Sequence, residues 1–126
     1  MITLQEILEY HTLSIKRFGG SDGVRDMGSL ESAVARPFQT FDGAELYATT
    51  IEKASAIGES LIVNHPFVDG NKRTGALAIY ALLNDGGLVF TANEEAFYEF
   101  IIKISTGELN YEQILEWLKN NSSSII

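Results

Sequence analysis

His65-Pro66-Phe67-Val68-Asp69-Gly70-Asn71-Lys72-Arg73-Thr74-Gly75 sets a proton acceptor, a carboxylate, a permissive glycine, an amide and two cations directly ahead of an apolar run. Pro66 cannot continue a helix and pushes His65 toward extended backbone, so residues 65–70 are expected to form a tight loop between two helices. Asn71 reads as a helix start, its side chain able to accept a backbone N–H of the first turn. Ala76, Leu77, Ala78, Ile79, Tyr80, Ala81, Leu82 and Leu83 then put apolar residues on nearly every face before Asp85. A helix apolar all round is a buried one, and the fold is expected to be built around it.

Outward from that helix, the remaining segments carry helical spacing with clear start and stop signals. Thr3 and Glu6 make a capping box ahead of Leu4, Ile7, Leu8, His11, Ile15 and Phe18, which predicts a helix over 3–17 stopped by Gly19 and Gly20. His11 on that apolar stripe reads as a satisfied core histidine rather than a metal ligand. Residues 19–28 hold four glycines and should be loop, ordered by a cap or salt bridge from Arg25 and Asp26. Ser29 can cap a short helix over 30–36 that Pro37 ends. Phe38 to Glu45 suits a small hairpin with Asp42-Gly43 at its tip. Residues 46–63 read as a helix that delivers His65 to the loop, and residues 88–90 as an extended connector. Asn93 caps a helix to about Ile104, and Asn110 with Gln113 opens another to about Lys119. Phe97, Phe100 and Trp117 read as core, and residues 120–124 as a frayed end before Ile125 and Ile126. The expectation is an all-α, single-domain bundle of about six helices over residues 1–126, around the helix that starts at Asn71.

Composition narrows the function classes. With 126 residues and 45% hydrophobic content the chain can bury a real core. It has no cysteine, so neither a disulfide framework nor a thiolate metal site is available. The start Met1-Ile2-Thr3-Leu4-Gln5-Glu6 lacks the pattern of a secretory signal, and no apolar run reaches membrane-spanning length, which predicts a cytoplasmic protein. A net charge of -8 argues against direct binding to nucleic acid or to an anionic membrane. Lys72 and Arg73 are two of only nine basic residues, and such local positive charge suits a small phosphorylated ligand.

The chemistry of the loop follows from its residue types. A helix N-terminus offers unpaired N–H groups and the positive end of the helix dipole. Gly70 lets a ligand approach the backbone, while Lys72 and Arg73 add full charges, the arginine through two parallel bonds to phosphate. Asp69 does not favour a bare phosphate, but it can hold a magnesium ion that also takes phosphate oxygens. His65 belongs to the residue type that titrates near neutrality, the natural acceptor for the proton of an attacking hydroxyl. Base, metal ligand and anion site are the parts of a nucleotide-dependent transferase.

This stretch resembles the signature of the Fic superfamily, written roughly HPFx(D/E)GNxR, and Lys72-Arg73-Thr74 is similar to its death-on-curing (Doc) branch. Val68 is the free position, and Gly75 stands where the branch more often has alanine. Residues 23–37, from Gly23-Val24-Arg25-Asp26 through Leu30-Glu31-Ser32-Ala33 to Arg36-Pro37, also look like this branch, and the similarity extends over essentially the whole chain. The resemblance implies a Fic-fold bundle. It implies a catalytic set of His65, Asp69, Asn71, Lys72 and Arg73, with phosphate held by Gly70, Asn71, Lys72 and Arg73 and magnesium by Asp69. The segment called the flap in this superfamily aligns a protein target beside the phosphates. That makes Phe38, Thr40, Phe41, Asp42 and Gly43 substrate-docking candidates, against the alternative of an ordinary surface loop.

Departures from the superfamily pattern separate its activities. Adenylyl-transferring members typically read GNGRxxR, in which the second arginine clamps the distal phosphates; here Lys72 replaces the second glycine and Ala76 stands at the clamp. Similarity to the death-on-curing branch implies a reversed nucleotide and transfer of the γ-phosphoryl group of ATP to a hydroxyl of a protein target. In that branch the target is elongation factor Tu and the outcome is translation arrest by the toxin of a toxin-antitoxin pair. The inhibitory pattern [ST]xxxE[GN] does not occur in the chain: Thr91 and Glu95 come nearest, but Ala96 follows. Restraint is therefore expected from a small Phd-like antitoxin. Two alternatives stand beside this kinase reading, a Fic-type adenylyltransferase with the same residues and a non-catalytic Fic-fold binding module.

Overall fold

Reciprocal capping bonds between Thr3 and Glu6 open α1, Leu4–Phe18, in the computed structural model, which describes residues 2–125. The next helix, α2, is Met27–Ala35, and its cap is Asp26 rather than Ser29: Asp26 Oδ1 accepts the Ser29 N–H at 3.0 Å. The carboxylate three residues upstream captures that N–H, so the helix begins earlier than its serine suggests. A 3-10 turn over Arg36–Phe38 contains Pro37 and leads into β1, Thr40–Phe41, and β2, Ala44–Glu45. Asp42 and Gly43 join these strands with φ of 54° and 82°, the left-handed pair that a two-residue hairpin turn requires. The expected hairpin is present.

Helix α3, Thr50–Val63, starts four residues later than its apolar spacing suggests, because Thr49 and Glu52 form a second capping box. Helix α4, Asn71–Asp85, packs against α3 along much of its length. The two helices approach closely because each offers the other a notch. A Cβ on Gly58 would lie 2.4 Å from Ile79 Cδ1, and a Cβ on Gly75 would lie 2.5 Å from Ile62 Cγ1. Ile79 and Ile62 thus fill the space that two side chains would occupy, which is the close packing expected of a core.

The remaining elements are β3, Leu88–Phe90; α5, Glu94–Ser105; α6, Tyr111–Asn120; and β4, Ser122–Ser124. Residues 88–90 are more than a connector and residues 122–124 are not frayed. They pair antiparallel, Leu88 with Ser124 and Phe90 with Ser122, and Ile125 N–H extends the ladder to Gly87 C=O at 2.9 Å. Ile126 lies outside the described residues. The core joins Ile7, Leu30, Ile57, Leu61, Ile79 and Phe100, among others, with Trp117 stacked on Phe100 at 3.8 Å. Six α-helices and two small two-stranded sheets make the expected all-α bundle among the described residues. Burial of α4 is not complete on all faces. Leu77 is 37% and Tyr80 50% exposed, on a stripe continued by Asn84, so its apolar excess overstates its burial. No helix among the described residues is long and apolar enough to cross a membrane.

Candidate active site

The loop between α3 and α4 is held from two sides. Arg25 donates from Nε to the His65 carbonyl at 2.7 Å and from Nη2 to the Asn64 carbonyl at 2.8 Å. The N–H groups of Arg25 and Asp26 donate to the Pro66 carbonyl, and Val68 N–H donates to the Gly23 carbonyl. Under this clasp His65 adopts φ 49°, left-handed rather than the extended backbone that a following proline favours. Asp26 supplies the cap expected of it, on α2, whereas Arg25 forms no salt bridge within residues 19–28 and instead fixes the backbone of His65 in the neighbouring loop.

From below, the buried ring of His11 stacks on buried Phe67 with centroids 3.8 Å apart and planes within 5°. Its Nε2 lies 2.8 Å from the Asp69 carbonyl oxygen. A carbonyl only accepts, so this nitrogen carries the proton. His11 is the satisfied core histidine its position suggests. Asn71 does not cap α4; Gly70 occupies that place at φ 79°. Instead Asn71 Oδ1 accepts the Phe67 N–H and Nδ2 donates to the Phe67 carbonyl, both at 3.0 Å. Its side chain locks the loop, and its backbone N–H is one of the first-turn donors of α4. Thr74 makes no bond in the first turn through its hydroxyl: Oγ1 is buried without a hydrogen-bond partner among the described residues.

Asp69 is exposed, and each carboxylate oxygen takes one backbone donor: Ser21 N–H to Oδ2 at 3.2 Å and Gly70 N–H to Oδ1 at 2.8 Å. Those two bonds, with the charges of Arg73 and Lys72 behind them, hold the carboxyl below the usual aspartate range. It is an anion with further lone pairs open. Gly20 makes the contact possible, because a Cβ there would lie 2.6 Å from Oδ2 and its φ of 115° disfavours other residues. The described residues contain no cluster of three or more potential metal-binding side chains. A lone exposed carboxylate fits magnesium, which commonly takes one or two carboxylates together with substrate phosphates.

His65, Asp69, Gly70, Asn71, Lys72 and Arg73 line one cleft of about 540 Å³. Ahead of the first bond in α4, Thr74 N–H to Gly70 C=O at 2.9 Å, the N–H groups of residues 71–73 lie at the helix end. Arg73 does not present a free fork to that space. One arm donates to the Gly19 carbonyl at 2.9 Å, and its guanidinium lies 5.5 Å from the centroid of the Phe18 ring. The other walls, Phe18, Gly19, Gly20 and Val68, were not legible as site residues. Gly19 and Gly20 read as a helix stop and Phe18 as part of the apolar stripe; only the placement of α1 beside the loop reveals them. The hairpin is not a wall of this cleft. Thr40, Phe41, Asp42 and Gly43 are exposed, Phe41 at 74%, whereas Phe38 sits in the 3-10 turn and packs against the core.

The chain is 45% identical over 76 residues to Toxin Doc of Mycolicibacterium smegmatis, which covers 60% of this chain and 58% of that protein. It is 28% identical over 119 residues to Protein kinase doc of Escherichia phage P1, covering 94% of this chain and 92% of the relative. A family model described as Fic/DOC family matches residues 1–83, from α1 to the last turn of α4 and so every residue that lines the cleft. The chain belongs to the Fic/DOC family.

Proposed function

We propose that this protein, acting as one domain over residues 1–126 in the cytoplasm, is a toxin that transfers the γ-phosphoryl group of ATP to a hydroxyl of a protein target. The observation that carries the reading is the convergence of His65, Asp69, Gly70, Asn71, Lys72 and Arg73 on one cleft. The names of the two relatives, a toxin and a protein kinase, favour it. Ala76 at the clamp position favours γ-phosphoryl over adenylyl transfer.

The target hydroxyl oxygen forms a bond to the γ-phosphorus, the bond from that phosphorus to the β–γ bridging oxygen breaks, and ADP leaves. His65 takes the hydroxyl proton. The α4 N-terminal N–H groups, with Lys72 and the free arm of Arg73, hold the phosphate charge as it shifts toward the leaving oxygen. Asp69 is the residue that would hold magnesium, which neutralises phosphate charge when bound. Asn71 and Arg25 keep the loop in register. The exposed hairpin docks the target, taken to be elongation factor Tu, whose modification arrests translation. A small Phd-like antitoxin supplies the restraint.

The test uses purified elongation factor Tu and magnesium with ATP labelled on either the α or the γ phosphate. Label is expected from γ alone, and a folded His65→Ala protein should be slower by about 100-fold to 10,000-fold, the usual worth of a positioned base. Label from α would make the protein an adenylyltransferase and would end the clamp argument. Transfer from neither position would leave a binding module.

A further inference from the structure

Phe18 continues the apolar stripe of α1, yet it is 69% exposed and forms part of the cleft wall. The stripe requires burial and the structure withholds it at this residue alone among Leu4, Ile7, Leu8, His11, Ile15 and Phe18. The Arg73 guanidinium lies over the exposed ring and also donates to the adjacent Gly19 carbonyl at 2.9 Å, which links the end of α1 to the start of α4. Arg73 thus joins the anion end of the cleft to an aromatic wall. A cleft that carries donors and cations at the start of α4 and a solvent-facing aromatic ring beside them matches a ligand that combines phosphates with a flat π-system.

We propose that Phe18 is the platform on which the base of the nucleotide stacks, with its phosphates at the α4 N-terminus. This rests on the nucleotide reading given above and adds the base subsite to it. Stacking needs only a π-face, and a cation held against a ring favours it further. A rigid ring also loses little conformational freedom when the base arrives.

Equilibrium binding of a non-hydrolysable ATP analogue and of inorganic tripolyphosphate, each with magnesium, separates this inference from the reading it rests on. Wild type should bind both. Phe18→Ala and Phe18→Leu should weaken the ATP analogue on the order of tenfold or more while leaving tripolyphosphate within about twofold, and Phe18→Tyr should restore ATP binding. Leucine keeps apolar bulk without a π-face, so its agreement with alanine identifies stacking as the cause. Melting temperatures close to wild type would show that the variants fold, as an exposed side chain predicts. Unchanged ATP affinity in Phe18→Ala would overturn the platform and leave the nucleotide reading standing. Equal loss of both ligands would also overturn it, because Phe18 would then only shape the anion end. Wild-type protein that binds neither ligand would remove the nucleotide reading and the platform together.

Discussion

His65 holds a left-handed backbone at φ 49° one residue before a proline, a combination that costs on the order of 1–3 kcal/mol unless its surroundings impose it. Arg25 is what imposes it, by gripping the two carbonyls on either side of the His65 Cα. Without that grip the backbone should relax toward extended and carry the imidazole away from the α4 N-terminus. Arg25→Ala is therefore expected to lower kcat for phosphoryl transfer on the order of 10- to 100-fold, as small misplacements of a reacting group do, with KM for ATP nearly unchanged. Arg25→Lys should recover only part, since one ammonium cannot reproduce the fork. Wild-type kcat in a folded Arg25→Ala protein would show that the clamp has no bearing on His65. The chemistry-bearing residues of the loop were legible because they lie close together in sequence. The groups that position them were not: Arg25, His11 and Phe18 arrive from 40 or more positions away, and periodicity records which face a residue occupies, not whether the core extends that far.

Among the elements, helices were legible to within a few residues wherever a cap was local, as at Thr3, Asn93 and Asn110. The β3–β4 pair was not, because its partners are more than 30 residues apart and three serines carry little strand preference. The packing of α3 on α4 was equally hidden, yet it is what keeps the Gly75 position small. Ile62 already fills that space. In isolation, Gly75→Ala should favour α4 by roughly 1 kcal/mol of helix propensity. In this protein the new methyl meets Ile62 Cγ1 at 2.5 Å and Cδ1 at 3.0 Å, so a net loss of about 1–3 kcal/mol is expected in urea unfolding. In an Ile62→Ala background the same substitution should become neutral or stabilising, because the cavity accepts the methyl. A stabilising Gly75→Ala in the otherwise wild-type chain would mean that the notch is not tight.

At the scale of the molecule, Arg36 joins three parts of the fold, the segment beside the hairpin, α3 and α6. It donates to Tyr47 Oη at 3.0 Å beside the hairpin, and to Glu59 at 2.9 Å and Ser60 at 3.0 Å on α3. Its guanidinium also lies 5.4 Å from the centroid of the Tyr47 ring and 5.6 Å from that of Tyr111 on α6. Lys53 adds bonds to Glu45 and the Tyr47 carbonyl, so the exposed hairpin stands on a rigid base. Tyr111 is the titratable corner of this node: burial first, then the charge of Glu52, pushes its hydroxyl up to about 12 from the ordinary 10.0. Its folded pKa is therefore above its unfolded one, and the neutral phenol contributes stability that is fully present below pH 10. As the pH rises from 10 to about 12 the unfolded chain releases this proton while the folded protein retains it, and the contribution is lost. Urea midpoints measured between about pH 9 and about pH 11.5 should fall for wild type, and fall less steeply for Tyr111→Phe, by up to one proton in the linkage slope. Identical slopes would mean that Tyr111 titrates alike in both states. In that case the packing of α6 against Arg36 would be too open to desolvate the phenol, and the base of the hairpin would be held from the α3 side alone.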